Sequence, residues 1–170
     1  MHKLSGSDAT LPCERRLAGM GFARYCASAY LCALAGSVAL IAAAALGESV
    51  LGLGVGLPAG SGKPGLVHVF GTVLLAPLVE TCLLIGLLEL LRRRHLSDTA
   101  AVAVAAILWG LAHAVFHPLR FFGSVWSFAV FGFGYIVWRR QRPDRAFAAA
   151  ALPHMLVNAS VVLVQYLPGA

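Results

Sequence analysis

The chain reads as an all-α, polytopic bundle of about five transmembrane helices, and three observations predict it. Of its 170 residues, 59% are hydrophobic and only 12% are charged, against roughly 45–50% and 25% in a soluble domain. The apolar residues gather in five runs, each close to the 20 or so residues that cross a hydrocarbon core. Lys and Arg fall in the segments flanking those runs and are concentrated in every other one. A water-soluble globular domain is excluded, as is a disordered chain, which needs low hydrophobicity and high net charge. A bilayer core leaves free N–H and C=O groups without water, so such runs satisfy their backbone internally, as helix.

The runs span roughly 25–46, 66–91, 100–117, 121–138 and 146–167. The first follows a basic segment, residues 1–24, and ends in Ala45-Leu46-Gly47-Glu48, which resembles a signal-peptidase site. It exceeds the usual signal core of about 7–15 apolar residues, so it reads as an uncleaved anchor. The Gly-rich stretch from Leu51 to Pro64 separates the first two runs. It is no phosphate loop, because Leu57 and Pro64 stand where Gly and Ser or Thr are required, and it reads as an external loop. Gly86 in the second run, with Gly110 and Ala112 in the third, predicts close helix approach. Residues 25–170 form a single domain, with no room for a soluble one beside it.

Positive charge sets the orientation. Lys3, Arg15, Arg16 and Arg24 precede the first run, Arg92, Arg93 and Arg94 follow the second, and Arg139, Arg140, Arg142 and Arg145 follow the fourth. Eleven of the thirteen basic residues thus share one side, with Lys63 and Arg120 on the other. Five crossings with a cytoplasmic N-terminus are predicted. The net charge of +6 serves topology and not nucleic acid, since it forms no continuous basic face. Cys13, Cys26, Cys32 and Cys82 show no metal-binding spacing and read as small membrane-core residues.

Ionisable groups inside a span cost about 2.5–3.5 kcal/mol or more, so each calls for a reason. Glu80, His113 and His154 occupy three different runs at comparable depth, Glu80 roughly 16 Å from the basic end of its helix at 1.5 Å per residue. Helical i, i+4 spacing places Trp109, His113 and His117 on one face and His154 with Asn158 on another. Thr81 brings a hydroxyl beside Glu80. His68, His117 and Glu89 lie near helix ends, where Glu89 can pair with Arg92 or Arg93. A purely structural polar contact between helices would explain one such residue. Three costly groups at one depth, with an Asn, point to chemistry.

A carboxylate in a dry site can act as general base on water, a His can share that work, and a second His with an Asn amide can donate to a developing oxyanion. No Ser, Cys or Lys is as well placed for nucleophilic attack: Cys82 points away from Glu80, and Ser124 and Ser127 are remote.

Three blocks then resemble the CPBP intramembrane proteases, the family of the CAAX prenyl endopeptidases and of bacterial bacteriocin-processing and immunity proteins. Ala76-Pro77-Leu78-Val79-Glu80-Thr81-Cys82-Leu83-Leu84-Ile85-Gly86 is similar to a motif of two glutamates followed after three residues by Arg. Trp109 to His113 is similar to an aromatic-xxx-His motif, and His154 to Asn158 to His-xxx-Asn. The resemblance covers roughly residues 70–160 and departs at Thr81, in the place of the second glutamate, and at Ile85, in the place of the Arg.

The resemblance implies an intramembrane endopeptidase in which Glu80 and His113 activate water while His154 and Asn158 stabilise the oxyanion, with Thr81 and Trp109 in support. It implies no cofactor. Zinc is the alternative, with Glu80, His113 and His154 as ligands. The expected partners are the lipid bilayer and a membrane-anchored protein substrate, with no nucleic acid. The expected location is a bacterial inner membrane, the substrate a protein undergoing maturation or C-terminal anchor processing rather than a prenylated one. Two other classes compete: an inactive family member that binds or protects a partner, and a small transporter or proton relay using the same buried groups.

Overall fold

The computed structural model describes residues 20–52 and 64–166, all in helices and short connections. Residues 1–19, which hold Cys13, and most of the Gly-rich stretch, residues 53–63, lie outside the described part. Five helices follow one another: α1 (Phe22–Leu51), α2 (Leu66–Arg93), α3 (Asp98–Ala114), α4 (Arg120–Gln141) and α5 (Pro143–Val164). Four are long and apolar enough to cross a membrane. The other, α3, has 17 residues, about 25 Å of helix, at the short end of what a crossing needs.

Local chemistry sets the ends. α1 stops at Gly52, whose φ of 66° closes the helix in the left-handed conformation that Gly adopts without cost. Ser97 caps α3, its Oγ accepting the Ala100 N–H at 3.3 Å, with Asp98 in the first turn. α5 starts on Pro143, whose missing N–H costs nothing at that position. α3 ends at Ala114, three residues earlier than its apolar run suggests, because Pro118 drives the preceding residue out of helical geometry. His117 therefore leaves the His113 face and accepts the Leu119 N–H at 3.3 Å.

Two backbone irregularities interrupt the helices. Gly71–Leu75 in α2 forms a π-helical turn just before Pro77. In α5, Pro153 cannot donate to Ala149 O, and the Tyr25 hydroxyl of α1 donates to that carbonyl instead, at 3.4 Å. Pro153 and Ala149 are both fully buried, so the tyrosine does what water would do elsewhere.

α4 is the axis of the bundle and packs against all four other helices. It supplies bulk: Phe128, Phe131, Tyr135 and Trp138 are buried. Its neighbours supply small residues at i, i+4 spacing, Ala29, Ala33 and Ser37 from α1 and Ala101 and Ala105 from α3. The rings share one buried core with Ala29, Ala33, Ala101 and Ala105, the composition expected where dispersion rather than water exclusion joins helices. Ser37 Oγ lies 2.8 Å from both Gly123 O and Ser127 Oγ, and Trp126 Nε1 donates to Cys32 O at 2.9 Å. Gly110 leaves no room for a Cβ against Val125 and Phe121, as its spacing predicts. Gly86 does not make such an approach: nothing lies within 4 Å of a Cβ there. Leu31, Leu46, Val67, Leu83, Leu111 and Leu163 turn outward, an apolar exterior that fits lipid.

Of the cysteines within the described residues, Cys26 is buried while Cys32 and Cys82 face outward, so only one is a core residue. At the Arg-rich end, Glu89 does pair with Arg92, at 3.3 Å, but also reaches across to α4, receiving Arg139 Nε at 2.8 Å and the Tyr135 hydroxyl at 2.9 Å. Arg92 in turn binds Asp98 at 2.6 Å, and Arg140 joins Asp98 from α4. Two carboxylates thereby hold three arginines and tie α2, α3 and α4 together.

Candidate active site

Glu80, His113 and His154, from α2, α3 and α5, meet in the interior. Glu80 Oε2 lies 3.4 Å from His154 Nε2 and 4.0 Å from His113 Nε2. The Glu80 and His113 side chains are about a quarter exposed, at 24% and 27%, whereas that of His154 is 4% exposed. One side of the cluster is thus reachable from outside and the other is sealed.

Each ring is held by its far nitrogen. His113 Nδ1 lies 2.9 Å from Trp109 O, one helical turn back, and a carbonyl only accepts, so Nδ1 carries the hydrogen. In the neutral ring the lone pair then sits on Nε2, facing Glu80. Two acceptors 4.0 Å apart, a carboxylate oxygen and an imidazole nitrogen, define a place for a donor between them. His154 Nδ1 lies 3.4 Å from the hydroxyl of Thr81, which is wholly buried. Thr81 thus addresses His154 across the helix interface, whereas its sequence position suggested a neighbour for Glu80; the 100° step between adjacent helical residues separates the two side chains.

Asn158 shares the α5 face of His154, as its spacing predicts, but its amide is partly engaged. Nδ2 donates to Thr72 O in the π-turn of α2 at 2.9 Å. A π-turn disturbs the regular i→i−4 ladder, and Asn158 supplies a donor there. The bond also fixes α5 against the segment that leads, eight residues on, to Glu80.

α4 contributes what the sequence reading did not find. Phe131 stacks on His154, with centroids 4.7 Å apart and an interplanar angle of 22°. Phe128 meets His154 at 5.2 Å and His113 at 5.4 Å, and stacks on Trp109 at 4.9 Å. These rings wall the cluster on one side and restrict both imidazoles. Their i, i+3 spacing on the most aromatic run was a usable signal. Trp109 Nε1 is buried and has no hydrogen-bond partner. Glu80, His113 and His154 offer one oxygen and two nitrogens, a donor set that zinc accepts. Among the described residues, however, no group of three or more His, Cys, Asp or Glu side chains is arranged to hold a metal ion.

Comparison with known proteins agrees with this picture at the level of family. No curated protein and no solved structure matches the chain. The model of the type II CAAX prenyl endopeptidase Rce1-like family matches residues 62–160, which include all three motif blocks and every residue of the cluster. That match spans more than half of the chain, four of its helices and an interior carrying Glu, His, His and Asn, so the chain is an integral membrane member of the Rce1-like family of type II CAAX prenyl endopeptidases.

Proposed function

We propose that this protein is an intramembrane endopeptidase that cuts a membrane-anchored protein substrate, in maturation or C-terminal anchor processing, in the cytoplasmic membrane of a bacterium. The observation that carries the reading is the meeting of Glu80, His113 and His154 from three helices, with Oε2 of the glutamate within 4.0 Å of both ring nitrogens. Water donates to Glu80 Oε2 and His113 Nε2, and the pair removes its proton as the oxygen attacks the scissile carbonyl. His154 Nε2–H and the amide hydrogen of Asn158 that Thr72 O does not take donate to the oxyanion. His113 then returns the proton to the leaving amine. The site's partial exposure on the Glu80 and His113 side admits substrate, while the Phe128 and Phe131 wall keeps the opposite side dry.

This route uses no metal. The test is processing of membrane-anchored substrates in cells carrying wild type, Glu80→Gln, His113→Ala or His154→Ala, with membrane levels of each variant matched. Each substitution is expected to lower processing at least about 10²-fold, the scale of a lost general base or oxyanion donor. Resistance of the purified wild type to 1,10-phenanthroline is expected; inhibition reversed by added zinc would transfer the three side chains to the metal-ligand role. A second reading rests on Thr81 and Ile85, which stand where the family motif has Glu and Arg: an inactive member that binds a partner. It requires the phenotype of Glu80→Gln to equal that of wild type.

A further inference from the structure

We infer that Thr81 is a positioning residue that fixes the proton of His154 on Nε2, the nitrogen facing the reaction site. The inference rests on the protease reading and names how this chain manages without the second motif glutamate. His154 is 3% exposed, so its two ring nitrogens must find their partners inside the protein. Nε2 faces Glu80 Oε2 at 3.4 Å and Nδ1 faces Thr81 Oγ1 at 3.4 Å. A carboxylate only accepts, so the favourable partner for it is an Nε2–H. Nδ1 is then the acceptor, and the Thr81 hydroxyl is its donor. The reverse assignment would set the Nε2 lone pair against a carboxylate oxygen, two acceptors facing each other at 3.4 Å. Phe131, stacked on the imidazole at 4.7 Å, hinders the ring flip that would put carbon atoms in the places of the two nitrogens.

The consequence is chemical. An oxyanion needs an N–H, and the wrong histidine tautomer offers a lone pair instead. A hydroxyl at position 81 does by neutral donation what a partner behind a histidine does generally, orienting the ring and choosing which nitrogen carries the proton.

The experiment has two arms. In the first, wild type, Thr81→Ser and Thr81→Val are compared for processing at matched membrane levels. Serine keeps the donor, and valine keeps the shape without it. Val is expected to lower kcat at least about 10-fold with KM little changed, and Ser to stay within about threefold of wild type. In the second arm, ¹⁵N-histidine NMR of purified protein in micelles reads the His154 tautomer, its signals identified by their loss in His154→Gln. Wild type and Thr81→Ser are expected to show the proton on Nε2, and Thr81→Val a loss of that preference. A wild-type proton on Nδ1, or Val and wild type indistinguishable in both arms, overturns the inference. If Val does not fold, the wild-type and Ser spectra still decide. If wild type processes nothing, the protease reading fails, and the tautomer arm judges Thr81 by itself.

Discussion

Removing the Tyr25 hydroxyl isolates a single backbone carbonyl as the thing it stabilises. Pro153 has no N–H, so Ala149 O loses its helical donor, and Tyr25 Oη replaces it at 3.4 Å. Tyr25 and Ala149 are 3% and 0% exposed, which leaves water no access to the carbonyl once the hydroxyl is gone. An unsatisfied buried acceptor costs about 1–3 kcal/mol. Side-chain hydrogen bonds between membrane helices average nearer 0.6 and reach about 1.7 kcal/mol. The long separation argues for about 1 kcal/mol here. Tyr25→Phe retains the ring and its contact with Trp138, with centroids 5.4 Å apart, so the substitution reports the hydroxyl. The assay is reversible unfolding in mixed micelles with increasing SDS, run on a double-mutant cycle with Pro153→Ala. Alanine restores the N–H and should let the helix bond Ala149 O itself. Tyr25→Phe is expected to lose about 1 kcal/mol in the parent and no more than about 0.3 kcal/mol beside Pro153→Ala. Equal losses in both backgrounds would refute the assignment of the tyrosine to the carbonyl that proline leaves open.

Other perturbations follow from the same structure. Asn158→Asp keeps the shape but replaces the donor to Thr72 O with an acceptor, so it should lower processing at least about 10²-fold and destabilise the bundle by about 1–2 kcal/mol, measured by the processing and unfolding assays. Gly110→Ala should cost about 1–3 kcal/mol by forcing Val125 and Phe121 aside, whereas Gly86→Ala should be neutral or stabilising by up to about 1 kcal/mol, since its Cβ meets nothing and alanine favours helix. SDS unfolding of the pair separates the two glycines, and equal effects would contradict the packing. Glu89→Gln should destabilise by about 1 kcal/mol and show a smaller effect in an Arg139→Gln background, because the two groups are bonded at 2.8 Å; additive losses in the cycle would dismiss the pair.

What could be read from the sequence and what could not divide along a physical line. Hydrophobicity, helix periodicity and charge placement are properties of contiguous residues, and the bilayer acts on contiguous segments. For that reason the helical membrane bundle and its elements were legible, with ends off by a few residues where Gly52, Pro118 and Pro143 act. Glu80, His113, His154 and Asn158 were legible because a polar group in an apolar run is costly and stands out at once. Which face each side chain presents to another helix is a different matter, decided by rotation and register between segments far apart in sequence. Only the folded chain turns Thr81 toward His154, Asn158 toward the π-turn carbonyl of Thr72 and Tyr25 toward the carbonyl behind Pro153. Only it sets Phe128 and Phe131 against the two imidazoles, because an aromatic residue in a membrane helix looks the same whether it faces lipid or a reactive site. The sequence by itself determined that costly groups exist at one depth; the packing of the helices against one another decided what each of them touches.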